Sequence, residues 1–289
     1  MKRVICVLVL YNPKFDVLDC NIRAIIDQVD MLWISDNTPG GFTAINAIID
    51  KYSSKVKYAL MDGNVGIAKA QNAGIHYAIK EDFDFIYFLD QDSISPNGVV
   101  DKLMSNFKEL EQDGIKVGGV GPQPFNRDTG KAYLASIKQG HYIKEGVKEV
   151  SELINSASLI RVKLFKDAGL MDESLFIDGV DHELCWRASR LADYHFFMVT
   201  SILFSHKLGE GDKNFLGITV KISTPFRIYY QFRNYFYLLR RNYVPIYWKV
   251  SNGIKYFFKY FYYSLCTNQK WIYFKNINKG IFDGLKGKK

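Results

Sequence analysis

Cysteine, proline and long uncharged runs are all scarce in this sequence, and each shortage excludes a class of protein. The four cysteines show no C-x-x-C spacing, which argues against a disulfide framework or a thiolate metal site and fits a reducing, cytoplasmic setting: Cys6, Cys20, Cys185 and Cys266. Seven prolines in 289 residues, with 48% apolar content, indicate an ordinary globular chain. No run of 18 uncharged apolar residues occurs, so we expect no segment to span a bilayer.

The N-terminus has a basic start and an apolar run, "VICVLVL", which invites comparison with a signal peptide. The run ends after seven residues, and no small-residue cleavage site follows it. We therefore interpret this segment as the first β-strand of the fold.

Acidic residues are almost missing from the last part of the chain. Between Arg240 and Lys289, eleven Lys and Arg accompany a single acid, Asp283, whereas the first 239 residues carry 27 basic and 29 acidic side chains. Aromatic residues are concentrated in the same part, because 20 of the 44 Phe, Trp and Tyr lie between Phe226 and Phe274. We expect a nearly neutral body and a basic, aromatic tail to have different surroundings.

Apolar runs of strand length alternate with helical patterns in the first part of the chain. Strands are predicted at Val4–Leu10, Met31–Asp36, Val56–Met61 and Phe85–Asp90, with helices near 16–29, 41–52, 65–80 and 96–112. Because the apolar runs are continuous, both faces of each strand should be buried, which is typical of a parallel sheet with helices on both sides. The predicted fold is therefore a doubly wound α/β domain.

The rest of the chain follows two further patterns. The middle section predicts a glycine-rich strand, a meander near the sheet edge, a helix from about Val180, and strands around Tyr194 and Leu203. From Ser223 onward the pattern is helical, and "STP" is a typical helix start. We expect a main domain at 1–222 and a helical C-terminal extension at 223–289.

Polar residues follow each of the four predicted strands. They are Tyr11 and Asn12 after the first, Asp36 after the second, Asn64 and Gly66 after the third, and Asp90, Gln91 and Asp92 after the fourth. In parallel sheets ligands bind beyond the carboxyl ends of the strands, where the strand order reverses. Asp90 and Asp92 alone would fit a simple turn equally well. Acids at three of these strand ends, Asp36, Asp62 of "DGNVG" and Asp90, favour a ligand site.

Two later stretches also contain candidate catalytic or metal-binding residues. "FIDGVDHELCWRAS" places Asp178, Asp181 and Glu183 at a loop leading into a helix, and "LFSHKLGEG" places His206 at a strand end. Acids at a helix start can simply complement the helix dipole, which accounts for one carboxylate better than for three. His206 can equally be a satisfied histidine at the end of a strand.

Taken in order, these motifs resemble the inverting glycosyltransferases of GT-A family 2 and, within it, the bacterial rhamnosyltransferases of polysaccharide synthesis. The resemblance covers most of the chain and rests on "YNP", "SDN", "GNVGIAKAQN", "LDQDS", "FIDGVDHELCWR", and "SHKLGEG" followed by "STPFRIYYQFRN". Two departures from the wider family, the large middle residue of "DQD" and the separated acids of "DGVDHE", fit the rhamnosyl subgroup.

The resemblance implies transfer of a sugar, with L-rhamnose from dTDP-L-rhamnose as the first expectation, from a nucleotide-sugar donor to a hydroxyl of a saccharide or lipid-linked acceptor. It implies Asp181 as general base, and Asp92 with His206 as ligands of Mg²⁺ or Mn²⁺, Asp90 bridging to the metal or facing the ribose. It places Arg227, Tyr230, Arg233 and Asn234 on a helix behind the metal. The implied donor-binding residues are Tyr11, Asn12, Asp36, Asn64, Gly66, Asn72, Asp90, Gln91, Asp178, Glu183, Arg227 and Arg233.

Other functions stay open at this point. The same fold could use a UDP-hexose or UDP-galactofuranose. A sugar nucleotidyltransferase would need a glycine-rich, arginine-containing loop after the first strand, which "YNPKFDVLDCN" lacks. A non-catalytic membrane-surface scaffold would not need Asp92, Asp181 and His206.

The tail has the composition of a membrane-surface segment. Its lysines are interleaved with Trp, Tyr and Phe, which suits helices lying among lipid headgroups and attracted to anionic lipid. In the second tail helix, Asn252, Lys255 and Lys259 form one narrow polar stripe. We expect a protein peripheral to the inner face of the cell membrane, with no nucleic-acid partner. The alternative is that the aromatic surface packs on the domain or in a homodimer.

Overall fold

The structure, a computed structural model, describes residues 2–125, 140–205 and 223–287 and the backbone of 212–215 and 218–221. The strands within these ranges are β1 (Val4–Leu10), β2 (Met31–Asp36), β3 (Val56–Leu60), β4 (Phe85–Asp90), β5 (Val117–Phe125), β6 (His141–Lys144), β7 (Val147–Val150), β8 (Leu159–Arg161), β9 (His195–Ser205), β10 (Asp212–Phe215) and β11 (Ile218–Lys221). The α-helices are α1 (Phe15–Ile25), α2 (Ile45–Lys51), α3 (Ile67–Lys80), α4 (Val99–Gln112), α5 (Val162–Ala168), α6 (Val180–Ala192), α7 (Pro225–Leu239), α8 (Ile246–Leu265) and α9 (Lys270–Lys286).

Most of these strands belong to one mixed sheet. Within the described ranges, nine strands lie in the order β3-β2-β1-β4-β8-β5-β9-β7-β6. β1 pairs in parallel with β2 and with β4, and β2 pairs in parallel with β3. The strand order therefore reverses between β1 and β4, which is where a doubly wound sheet opens a crevice for a ligand. The predicted mostly parallel α/β sheet is confirmed.

The middle of the chain differs from its prediction in two respects. β8 was expected in a meander at the sheet edge, but it lies inside the sheet, antiparallel to both β4 and β5. Leu159 and Ile160 are buried there, so the short apolar strand fills a gap between two longer ones. The strands expected around Tyr194 and Leu203 are one continuous strand, β9. β6 and β7 do lie at the edge.

Both faces of the sheet are covered. In β1, Val4, Cys6 and Leu8 point to the core beneath α1, α2 and α4, whereas Ile5 and Val7 point to the core beneath α3, α5 and α6. The alternation follows from the two-residue period of a strand. All four cysteines are free thiols.

The C-terminal helices pack on the sheet domain and on one another. Leu238 of α7 and Trp248 of α8 join the core beneath α6, and a separate cluster of α7, α8 and α9 is centred on Ile228, Tyr263 and Ile277. The domain boundary at 222 remains a prediction. None of the helices in the described ranges is both long and apolar enough to cross a membrane.

Glycine allows α9 to approach α7 very closely. A Cβ atom at Gly280 would lie 2.5 Å from the backbone oxygen of Tyr229, and one at Gly284 would lie 2.9 Å from the backbone oxygen of Arg233. A backbone oxygen cannot move away by changing rotamer, so these positions require glycine at the observed separation of the helices.

We predict that Gly280→Ala destabilises the protein. Alanine gains about 1 kcal/mol of helix propensity, but the forced separation of α7 and α9 should outweigh it and lower the free energy of unfolding by roughly 1–3 kcal/mol. Urea unfolding of the variant measures this, with Lys275→Ala on the exposed side of the same helix as control, expected within about 0.5 kcal/mol of wild type. A Gly280→Ala protein as stable as wild type would contradict the close packing.

Candidate active site

Gln91 joins the ends of β4 and β1 at the switch point. Its side-chain Oε1 accepts a hydrogen bond from the Tyr11 N–H at 2.8 Å, and its Nε2 donates to the Tyr11 oxygen at 3.1 Å. The amide therefore pairs with the backbone of Tyr11 and fixes the two acids beside it relative to β1. Of these acids, Asp92 is exposed and Asp90 is partly buried.

The backbone of Asp90 is held from two sides. Its oxygen accepts from Asn21 Nδ2 of α1 at 2.7 Å, and its N–H donates to Ser156 Oγ at 3.4 Å. These contacts fix the last residue of β4 independently of its side chain. The exit of β4 is thus a rigid platform carrying two carboxylates.

Asp36 organises the loop that follows β2. Its buried carboxylate accepts from the N–H groups of Thr38 at 2.8 Å and Phe42 at 2.7 Å and from the Tyr58 hydroxyl at 2.9 Å. Burial, followed by the hydrogen bond to Asp36, raises the pKa of Tyr58 to about 12. Thr38 Oγ1 in turn accepts from the N–H of Asn12 at 2.9 Å. Both carboxylate oxygens of Asp36 are therefore engaged within the protein.

The N-terminus of α3 is covered by another loop. The backbone oxygen of Phe176 accepts from the N–H of Ile67 at 2.8 Å, and Asn64 Oδ1 accepts from the N–H of Gly66 at 3.2 Å. Gly66 has a φ of 86°, and a Cβ there would lie 2.6 Å from the Phe176 ring. Asn64 and Gly66 thus form a turn against which Phe176 docks.

Asn72 holds the start of the segment 171–179, which we call the 171–179 loop. Its Nδ2 donates to the Met171 oxygen at 3.0 Å and to Glu173 Oε1 at 2.9 Å, and its Oδ1 accepts from the Met171 N–H at 3.0 Å. The side chain is buried. The structure thus gives Asn72 protein partners for both of its polar atoms, and the predicted contact with a donor remains a prediction.

The guanidinium group of Arg227 on α7 is paired with Asp178 of the 171–179 loop. Arg227 Nε donates to both oxygens of Asp178 at 2.9 Å, and Nη2 donates to Oδ1 at 2.7 Å. This hydrogen bonding raises the pKa of Arg227, and although burial opposes the shift, the charges of Asp178, Asp181 and Asp90 add to it. The ion pair therefore joins α7 to the 171–179 loop, between residues 49 positions apart in the sequence.

Asp181 and Glu183 both lie in the first turn of α6, but they differ in exposure and in their partners. Asp181, the second helical residue, is partly exposed and accepts from the His182 N–H at 2.9 Å. Glu183 is fully buried, where it binds Arg187 Nε at 2.7 Å and the Tyr243 hydroxyl at 2.6 Å. Asp181 can meet a ligand, whereas Glu183 ties α6 to the connection between α7 and α8.

Arg233 lies beneath the site. Its Nη2 donates to the backbone oxygens of Ser174 at 2.5 Å and Leu175 at 3.0 Å, and its guanidinium lies over the rings of Tyr230 at 4.6 Å and Tyr237 at 5.1 Å. The residue is largely buried. The backbone oxygens that it binds belong to the 171–179 loop, and the predicted contact with a donor remains a prediction.

Sequence reasoning missed Phe176. Its ring stacks on Tyr230 with centroids 4.5 Å apart and an interplanar angle of 9°, and its backbone has a φ of 62°. No pattern in the sequence distinguishes this phenylalanine from a core residue. Its position between the N-terminus of α3 and Tyr230 of α7 follows only from the three-dimensional structure.

The structure describes two of the three predicted metal ligands. Asp90 and Asp92 lie at the β4 exit, whereas His206 lies outside the described residues. Within the described part of the chain, no group of three or more His, Cys, Asp or Glu side chains is arranged to hold a metal ion.

Known proteins share both the sequence pattern and the fold. A profile described as glycosyl transferase family 2 matches residues 6–169. The dTDP-rhamnosyl transferase RfbF of Shigella flexneri is 32% identical over 253 residues, which cover 85% of this chain and 82% of that protein.

Two solved structures show the same architecture. S. aureus TarS 1-349 superposes with a TM-score of 0.59 at 11% identity, over 98% of this chain and 80% of that one. GalNAc-T7 with UDP, GalNAc and Mn²⁺ superposes with a TM-score of 0.58 at 15% identity, over 98% of this chain and 55% of that one. At such identities the likeness concerns the fold, which is GT-A in both. By its sequence match, the chain belongs to glycosyl transferase family 2 and is a glycosyltransferase.

Proposed function

We propose that this glycosyltransferase moves L-rhamnose from dTDP-L-rhamnose, with inversion, to a hydroxyl of a saccharide or lipid-linked saccharide in cell-surface polysaccharide synthesis. The observation that carries the donor assignment is the 32% identity to the Shigella flexneri enzyme over most of both chains. The reaction class is supported by the acids Asp90 and Asp92 at the exit of β4, where the strand order reverses, and by the ion pair of Arg227 with Asp178.

Asp181 is the proposed general base. An inverting transfer needs one base that takes the proton of the acceptor hydroxyl while the oxygen attacks the anomeric carbon from the side opposite the diphosphate. Asp178 is bound by Arg227 through both oxygens, and Glu183 is buried. Asp181 is partly exposed in the first turn of α6, and among the described contacts its side chain accepts only the local hydrogen bond from the His182 N–H.

The chemistry at the β4 exit fits a divalent cation. Mg²⁺ and Mn²⁺ prefer hard oxygen ligands, and Asp92 offers an exposed carboxylate on a fixed strand end beside Asp90. We propose that these two acids, with His206, hold the ion. When bound, it would neutralise charge on the departing dTDP.

The remaining site residues have two proposed roles. We propose that Arg227, whose side chain is 48% exposed, contacts the donor diphosphate and that Asp178, which it binds, contacts a sugar hydroxyl. Tyr11 is exposed at the β1 exit and is proposed to contact the nucleoside. The others act by building the rim, through the contacts described above: Asn12, Asp36, Asn64, Gly66, Asn72 and Gln91.

The tail carries an exposed apolar stripe along α8. Six side chains, each 39–77% exposed, repeat every three or four residues and so lie on one side of the helix: Ile246, Val250, Ile254, Phe257, Phe261 and Leu265. The predicted polar stripe lies elsewhere, because Lys259 donates to Gln231 of α7 at 2.9 Å. The stripe itself contains no charge.

A similar surface on α9 adjoins the first. Trp271, Phe274, Phe282 and Leu285 are exposed, and ring contacts join Phe261 through Tyr260 to Phe274. Exposed lysines lie on the same helix at 275, 279 and 286. Apolar and aromatic side chains beside lysine match the chemistry of an anionic lipid surface. We therefore propose that α8 and α9 lie on the inner face of the membrane.

We predict that the purified protein releases dTDP from dTDP-L-rhamnose only when an acceptor is present. Asp181→Asn should lower kcat by on the order of 10²–10⁴ while leaving donor KM nearly unchanged, because the substituted amide cannot take the acceptor proton. Release of nucleoside diphosphate, measured with a panel of donors, tests both statements. Turnover of UDP-galactofuranose or a UDP-hexose alone would overturn the rhamnose assignment, and near-normal turnover by Asp181→Asn would overturn the base assignment.

Metal removal should abolish turnover. With EDTA, we expect dTDP release to stop and to resume on addition of excess Mg²⁺ or Mn²⁺. Asp92→Asn should raise the metal concentration needed for half-maximal activity at least about tenfold, since the site loses a charged ligand. Asp50→Asn, at an exposed position on α2, is the matched control and should behave as wild type. Full activity in EDTA would exclude a metal requirement.

The membrane proposal predicts a salt-dependent interaction with anionic vesicles. A double variant, Phe257→Ser with Phe261→Ser, should partition about tenfold more weakly into vesicles of phosphatidylcholine and phosphatidylglycerol. The variant lacks two aromatic rings that are proposed to enter the lipid. Tyr142→Ser, at a similarly exposed aromatic side chain on β6, should bind as wild type does. Unchanged partitioning, with a shift from dimer to monomer in light scattering, would assign the stripe to a homodimer instead.

A further inference from the structure

The 171–179 loop contains a tight and uncommon turn immediately before the acids of the site. Phe176 has φ 62° and ψ −63°, and the N–H of Ile177 donates to the oxygen of Leu175 at 2.7 Å. Together these describe a classic γ-turn, a strained conformation for any residue with a side chain. Asp178 follows with φ 67°, so this short segment needs support from its neighbours.

Two adjacent side chains of α7 supply hydrogen-bond donors to this turn. Asn234 Nδ2 donates to the backbone oxygens of Leu175 at 2.8 Å, Ile177 at 2.7 Å and Asp178 at 3.0 Å. Arg233 Nη2 donates to Leu175 as well, and Arg233 Nε donates to Asn234 Oδ1 at 3.1 Å, which orients the amide. Both side chains are largely buried, so no water replaces these donors readily.

The same side of α7 makes two further contacts with the loop. Arg227 binds the Asp178 carboxylate, and Tyr230 stacks on Phe176. Residues 227, 230 and 234 are spaced three and four apart and so lie on one side of the helix. α7 therefore fixes the backbone and the side chains of the loop together.

We propose that Arg233 and Asn234 are positioning residues for glycosyl transfer, which hold the γ-turn at Phe176 and thereby set the place of the Asp181 carboxylate. The proposal rests on the proposed function, in which Asp181 is the base. α6 begins at Val180, only two residues after Asp178, and Asp181 is its second residue, so displacement of the turn moves the start of α6. Both residues lie beyond the stretch 6–169 that matches the family profile.

Asn234→Asp is the sharpest variant, because it keeps the shape of the side chain and replaces the donating group by an acceptor facing three carbonyl oxygens. We expect kcat to fall about 100-fold, as small displacements of catalytic groups do, while the Kd for dTDP changes much less. Arg233→Met should show the same pattern, and Arg233→Lys, which keeps a donor, should recover part of the loss.

Arg240→Met is the matched control. Arg240 directly follows α7 and also donates to backbone oxygens, those of Gly284 and Leu285 at 2.6 Å, but these lie in α9 and away from the loop. Its loss should reduce thermal stability without a selective effect on kcat. Hydrogen exchange of the peptide spanning 171–179 should accelerate in Asn234→Asp and stay at the wild-type rate in Arg240→Met.

A double variant separates this proposal from the assignment of the base. If Asn234 acts through Asp181, adding Asn234→Asp to Asp181→Asn should lower kcat no further. A multiplicative loss, or an equal loss of kcat in Arg240→Met, would overturn the positioning role. Near-normal kcat in Asp181→Asn alone would instead overturn the proposed base.

Discussion

The backbone carbonyl groups of the 171–179 loop impose the main constraint on this site. The loop makes a γ-turn, so most of its carbonyl oxygens have no partner in a helix or sheet, and a buried carbonyl without a donor is costly. The donors come from two helices that lie far apart in the sequence, Asn72 of α3 and the Arg233–Asn234 pair of α7. These two helices thus hold the loop that leads into α6.

Because of this constraint, some polar residues at the rim stabilise loops, whereas others are accessible to a ligand. Asn72, Gln91 and Glu183, which the sequence predicts as donor-binding residues, bind the protein and fix neighbouring segments. Asp92 and Asp181, the acids that those segments carry, are more accessible. At this rim, therefore, most of the polar side chains stabilise loops, and a smaller number are accessible to a ligand.

The sequence predicted the sheet well where local pattern determines structure. β1, β2 and β4 have the predicted bounds, because each is a continuous apolar run ended by a polar residue. The three residues of β8 carry no such signal, and their place inside the sheet depends on pairing with β4 and β5. The same limit applies to the site. The polar residues after the predicted strands indicated that the exits of β1 and β4 lie side by side, as the contact of Gln91 with Tyr11 shows. Nothing local indicates that Asn72 binds Met171, 99 residues away.

The two sides of α7 connect the site to the tail. One side contacts the 171–179 loop, and the other meets Gly280 and Gly284 of α9, with the Tyr229 hydroxyl donating to Asp283 at 2.8 Å. The helices proposed to lie on lipid are therefore bound directly to the helix that supports the proposed base. A lipid-linked acceptor would be held at the same membrane surface as α8 and α9. The packing of α7 on α9 would then set the distance between the membrane surface and the site, so the proposed tail contact would orient the enzyme as well as attach it.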